Sequence, residues 1–165
     1  LIVLNKYKRP KFAETDLKVN PFTYSLEIPI VKFEDLSRFK KDSDGDLLHD
    51  IATIEYEKSV KIYVSSARRK VINILNPNTC KLLSWVEQEL DENKDYFWLN
   101  KQRYMEETKV AYNTYKKSVK ELQIYNFIQP TTINDIFWIN PYFFFFGNRV
   151  KKYPNNLVIK QDRTD

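Results

Sequence analysis

Cysteine, glycine and histidine are nearly missing from this chain, and each shortage removes a class of function. A single cysteine, Cys80, excludes an intramolecular disulfide and a cysteine-based zinc site, which fits a reducing compartment. Only Gly45 and Gly147 are present, so no glycine-rich loop can cradle a nucleotide phosphate and ATP hydrolysis is not expected. His49, the one histidine, cannot form the histidine cluster of a metal-dependent nicking endonuclease. It also sits next to a turn, a poor place for the base of a Ser or Cys triad. No apolar run approaches the ~20 residues of a membrane helix, and the opening Leu-Ile-Val-Leu is too short for a signal segment. The expectation is a protein with no catalytic residue, no cofactor, no metal and no membrane partner, in the cytoplasm of a bacterial host or associated with a virion. A start on Leu1 rather than Met suggests residues ahead of it. Alanine is scarce too, with only Ala13, Ala52, Ala67 and Ala111, while Lys, Asn, Ile, Tyr and Phe abound. That bias is expected of AT-rich coding sequence and hints at a plasmid, a phage or a low-GC bacterium.

What is present describes a folded, basic protein. Apolar residues make up 42% of the 165 and aromatics 15%, too many for a disordered chain. The net charge of +5 and pI near 9.1 favour an anionic partner, although placement of the charge matters more than its sum.

Taken in order, residues 1–20 carry Lys6, Lys8, Arg9, Lys11 and Lys18 without periodicity and read as a basic extended arm able to lie along phosphates. Residues 21–64 read as an antiparallel β extension. A strand over 22–33 is followed by two β-rich runs at 47–56 and 60–64, with Pro29 marking an edge. The acidic stretch 42–46 imitates a calcium loop, but Gly45 comes too early and Thr53 stands where a bidentate Glu is required, so it reads as a solvated turn. Residues 65–153 read as a winged helix-turn-helix domain, and 154–165 as a loose C-terminal tail. The fold class expected is therefore α+β.

Within 65–153, Ser65 or Ser66 caps a helix to about Leu75 with Val71, Ile74 and Leu75 inward. Asn76 and Pro77 start the next helix, with Leu82, Leu83, Val86 and Leu90 on one face. Residues 96–99 form a short aromatic strand. Asn100 caps a helix from Lys101 to about Thr108, and Thr108 and Lys109 turn the chain. The helix that follows sorts by angle. Ala111, Tyr115, Ser118, Val119 and Leu122 fall on a packing face; Tyr112, Asn113, Lys116, Lys117 and Lys120 fall on the other. In a helix-turn-helix the second helix enters the major groove by its N-terminal half, which makes Tyr112, Asn113 and Lys116 base-facing candidates. Lys109, Lys117 and Lys120 are candidates for the phosphates. A hairpin over 125–139 forms the wing, whose tip residues Thr131 and Thr132 carry hydroxyls suited to phosphate. Arg149, Lys151 and Lys152 add a basic cluster. Between them, Tyr142 and Phe143 to Phe146 are five adjacent aromatics that cannot all face one side. They plug against the front sheet or form a docking patch.

Several of these residues carry a resemblance. Asn113-Thr114-Tyr115, Val119, Glu121-Leu122, the run from Ile124 to Pro130, Ile136-Phe137-Trp138-Ile139-Asn140-Pro141 and Gly147-Asn148-Arg149 resemble the firmicute plasmid replication protein (RepL) family over roughly residues 65–153. The resemblance implies a winged-helix initiator that binds double-stranded DNA at a plasmid or phage origin and recruits host replication proteins. It transfers no catalytic residue, and residues 142–146 are more aromatic than the family pattern. A transcription regulator of a mobile element shares every one of these features. A different class also fits: a phage virion or other interaction protein that docks through its aromatic run. The front sheet offers an edge through which two copies could pair into a homo-oligomer.

Overall fold

The computed structural model describes residues 6–31 and 59–160. The acidic turn 42–46, His49 and the expected strand 47–56 lie outside them. Among the described residues come two 3-10 turns, Glu14–Leu17 and Pro21–Ser25, and strand β1 (Ile28–Val31). Next are β2 (Val60–Ile62), helix α1 (Ser66–Ile72), α2 (Pro77–Gln88), β3 (Tyr96–Trp98), α3 (Lys101–Thr108) and α4 (Tyr112–Ile124). The chain closes with β4 (Ile128–Pro130), β5 (Ile136–Ile139), β6 (Phe144–Phe146), α5 (Arg149–Lys152), a 3-10 turn Pro154–Asn156 and β7 (Leu157–Lys160). The class is mixed α+β, as expected.

Local chemistry starts most of these helices. Ser65 Oγ accepts from Arg68 N at 3.1 Å, Asn76 Oδ1 from Asn78 N at 3.0 Å with Pro77 beside it, and Asn100 Oδ1 from Arg103 N at 3.1 Å. Each satisfies an amide that the helix itself leaves unpaired. The helices then bury apolar stripes. Leu82, Leu83 and Val86 of α2 meet Tyr104 of α3, Tyr115 and Leu122 of α4, and Phe97, Ile128 and Ile139 of the sheet. Ile74 departs from its expected inward place: α1 ends at Ile72, so Ile74 lies beyond the helical repeat and is exposed. Ala111 departs likewise, as the exposed N-cap of α4. Cys80 is half-buried on α2.

The central sheet is antiparallel in the order β3-β5-β4, with Tyr96 opposite Trp138, Phe97 opposite Phe137 and Trp98 opposite Ile136. Both faces are covered. Phe97, Phe137, Ile128 and Ile139 face the helices, while Tyr96, Trp98, Ile136 and Trp138 face the other way, onto Phe12, Leu17 and Phe22. The arm is therefore a cover for the sheet rather than a free basic strand. Leu17 is 2% exposed, a burial worth about 1.5–3 kcal/mol. Lys6 and Tyr7 bind Glu106, Arg9 pairs with Asp91, and Glu14 with Lys94. Lys8, Lys11 and Lys18 remain exposed.

The front and rear of the chain also pair differently from the expected antiparallel extension. Among the described residues β1 runs parallel to β7, Ile28 opposite Leu157, and β2 pairs antiparallel with β6, Val60 opposite Phe146. Residues 21–25 are a 3-10 turn instead of strand, because Pro21 follows an Asn20 whose side chain accepts from Phe22 N at 3.0 Å. The loose tail expected over 154–165 is corrected over its described part: Asn156 donates to Thr23 O at 3.0 Å and Leu26 O at 2.9 Å, which seats β7. Backbone pairing of this kind leaves no local mark in a short apolar run. The aromatic run resolves the same way. Phe143 and Phe144 stack toward Phe127 at 4.8 and 6.5 Å, Phe145 turns to Tyr153 at 6.0 Å, and Tyr142 alone of the five is exposed.

Acid should release the arm before it unfolds the helices. Hydrogen bonds from Tyr7 and Lys6 hold the Glu106 carboxyl below its ordinary range, and those from Lys94 and Tyr96 do the same for Glu14. A carboxylate depressed in the folded state stabilises above its unfolded pKa of about 4.3, and that contribution is lost as pH falls through the depressed value. Burial instead holds Glu87 and Glu89 above the ordinary range despite Arg68 and Arg103, so protonation there relieves a cost carried at neutral pH. Trp98 and Trp138 lie under the arm, so their emission should shift red below about pH 4 while the helical circular dichroism signal persists. Loss of both signals together would contradict this order.

Candidate nucleic-acid interface

Helix α4 is held in one rotational setting. Tyr115, Ser118 and Leu122 are buried, and Val119 is half-buried. From a neighbouring angle, Glu121 reaches the start of α2: its Oε1 accepts from Asn76 N at 2.9 Å and its Oε2 from Thr79 Oγ1 at 3.1 Å. The carboxylate thereby caps α2 and locks α4 against it. With that side fixed, Tyr112, Asn113, Lys116, Lys117 and Lys120 are all exposed on the opposite side. Tyr112 is 50% exposed and is not a core aromatic, and Lys116 Nζ lies 5.5 Å from its ring centre. Such a surface cation–π contact is worth about 0.5–1 kcal/mol and pre-sets the pair.

Lys109 ends α3 in the left-handed conformation, φ 60°, with its N–H donating to Met105 O at 2.9 Å, and its side chain is exposed at the α3–α4 turn. Leu99 N donates to Asp135 O at 2.9 Å, so α3 begins beside the β4–β5 turn. Tyr115, in the first half of α4, packs on Tyr104 of α3 with ring centres 5.7 Å apart. Burial raises the Tyr115 hydroxyl well above its ordinary value, and the nearby Asp135 carboxylate adds to the shift. Lys101, the exposed first residue of α3, joins the candidate set here. Its only sequence signal was its position directly after the Asn100 cap.

Five other candidates, in four groups, fall elsewhere. Thr131 Oγ1 donates within its own turn, with Ile133 O at 3.0 Å and Ile136 O at 2.8 Å. Thr132 Oγ1 donates to Asp16 O of the arm at 2.9 Å. Arg149 is 7% exposed, its guanidinium 3.3 Å above the Tyr63 ring and donating to Pro141 O at 3.0 Å. It holds the β6–α5 corner and is not displayed to phosphate. A guanidinium suits a carbonyl and an aromatic face as well as it suits phosphate. The fourth group is Lys151 and Lys152, which are exposed but stand at the other end of the sheet. Asn93 N donates to Phe146 O at 2.8 Å and Asn93 Oδ1 accepts from Asn148 N at 3.3 Å, which seats α5 at the start of β3. The β4–β5 turn is at its end. Lys116, Lys117 and Lys120 thus stand on α4 while Arg149, Lys151 and Lys152 stand on α5, so these six basic candidates do not form the one continuous surface that would support DNA binding most strongly.

Among the described residues no cluster of His, Cys, Asp and Glu could hold a metal, and no helix is long and apolar enough to cross a membrane. Compared with models of known families, with curated proteins and with solved structures, the chain finds no match.

Proposed function

We propose that this chain is a sequence-reading double-stranded DNA-binding protein built on a winged helix, with α4 as its reading helix. The observation that carries the reading is the outer face of α4, where aromatic, amide and ammonium groups stand exposed on a helix whose other side is locked. Such a face combines groups that read base edges with groups that neutralise phosphates. The element order supports the fold assignment. A helix (α2), strand (β3), two helices (α3, α4) and a hairpin (β4, β5) whose returning strand pairs with β3 follow the winged-helix plan. Lys101, Lys109, Lys117 and Lys120 take the phosphates in this reading, and Tyr112, Asn113 and Lys116 face the bases. The hairpin tip contributes little, because it carries no Lys or Arg and its threonines are held by the protein.

Origin binding as a plasmid or phage replication initiator, with host replication proteins as partners, is the role that the resemblance described above favours. A regulator would use the same face, and footprints over an origin or over a promoter separate the two. The docking alternative keeps a motive in the hairpin tip without Lys or Arg, while of the aromatic run Phe143, Phe144 and Phe145 are buried and Tyr142 is exposed. Selection of bound duplexes from a random pool tests the proposal. An enriched motif is the expected result; absence of any duplex binding rejects the reading.

A further inference from the structure

We infer that Asn113 makes the site read by α4 an adenine-bearing one, its amide pairing with N6 and N7 of a single adenine in the major groove. The inference rests on the DNA-binding reading and gives it a base. Rotation comes first. At about 100° per residue, Tyr112, Lys116, Lys120, Asn113 and Lys117 fan out in that angular order over about 140° of arc, so Asn113 lies within the arc and not at its margin. Position along the axis comes next. Asn113 is the second residue of α4, in the turn that leads a reading helix into the groove, while Lys117 and Lys120 follow one and two turns later.

Chemistry narrows the base. A side-chain amide matches the acceptor and donor of adenine with two hydrogen bonds, whereas guanine is most often read by an arginine fork. No arginine lies between Arg103 and Arg149. Arg103 is engaged by Glu89 and Glu107 at 2.9 and 2.8 Å, and Arg149 is buried.

Availability completes the case. Asn76 and Asn100 cap helices, Asn20 and Asn140 donate to the carbonyls of Ile139 and Asn126, and Asn156 clamps the β1 approach. The Asn113 amide has no hydrogen-bond partner among the described residues, and of the asparagines in that condition, with Asn73, Asn78, Asn126, Asn134 and Asn155, it is the one on α4. Nor does it serve its helix, because asparagine favours caps over helix interiors and the cap here is Ala111, which forms no side-chain bond.

The test is duplex selection with the wild type, Asn113→Ala, Asn113→Gln and Lys117→Ala, followed by titration of the selected motif with one adenine replaced by 7-deaza-adenine, which lacks the N7 acceptor. The wild type should select a fixed adenine and lose about 3- to 10-fold in affinity on the deaza replacement, as expected for one of the two hydrogen bonds of a bidentate pair. Asn113→Ala should select a motif degenerate at that position alone and be indifferent to the deaza base. Lys117→Ala should weaken every sequence alike. Asn113→Gln keeps the amide and should retain the adenine preference, which guards against misreading a folding defect. If Asn113→Ala selects the wild-type motif, or no adenine N7 matters, the inference is overturned while DNA binding stands. If the wild type enriches nothing, both fall.

Discussion

Lys116→Ala combined with Lys117→Ala is expected to lower duplex affinity by roughly 30-fold at about 0.15 M salt and to flatten the salt dependence by about one unit. Lys117, on a phosphate, adds about 0.9 to the slope of log affinity against log salt, worth about 0.7 log units at that concentration relative to 1 M. Lys116, on a base edge, adds about 1 kcal/mol, roughly another 0.7 log units. Both ammonium groups are exposed, so folding should be nearly unchanged. The one intramolecular contact at risk is that of Lys116 with the Tyr112 ring, worth about 0.5–1 kcal/mol at a surface. The matched comparison is Lys151→Ala with Lys152→Ala, which removes the same charge at the far end of β3 and should leave affinity and slope close to wild type. Salt titrations of both doubles on one duplex read the difference. Equal losses from the two pairs would mean that charge, not the α4 face, governs binding.

Gly147→Ala should destabilise the fold by about 3 kcal/mol, a fall in melting temperature of about 6–12 °C for a domain of this size. Gly147 has φ 120°, a conformation that side-chain-bearing residues rarely adopt, and a Cβ there would run into the Asn93 side chain. The same turn ties several elements together. Gly147 N donates to Ser59 O at 3.2 Å, its carbonyl accepts from Lys61 Nζ at 2.7 Å, and Asn93 Oδ1 accepts from Asn148 N at 3.3 Å. Pushing Asn93 aside thus costs a hydrogen bond, about 1 kcal/mol, on top of the backbone strain. None of these bonds reaches α4, so protein that remains folded should bind duplex as before. A melting temperature lowered by less than about 2 °C would show that the turn accommodates the methyl group.

Some of the reading was written locally. Asn76-Pro77 and Asn100 announced two helix starts, and the angular sorting of residues 111–122 set the buried and exposed sides of α4 almost residue for residue. The same grammar marks Asn20-Pro21, a turn signal in the sequence, which starts a 3-10 turn by the same side-chain bond. Another signal lay in the strands. Tyr-Phe-Trp and Ile-Phe-Trp-Ile are apolar without alternation, the mark of a sheet covered on both faces, and Phe12, Leu17 and Phe22 were the residues available to cover it. Thr131, Thr132 and Arg149 bond to the protein itself for a chemical reason, because groups that bind phosphate bind main-chain carbonyls equally well.

The sequence by itself determined that α4 exists, which side of it is apolar and which groups stand opposite, because a helix places neighbours by a fixed angle and caps act within a few residues. Tertiary structure decided the rest. It paired β1 with β7 and β2 with β6 across more than eighty positions, laid a basic arm over an apolar sheet and buried Arg149. It also set the lysines of α4 apart from those of α5. Pairings of that kind depend on which distant surfaces bury each other, and no local pattern in the chain encodes the partner.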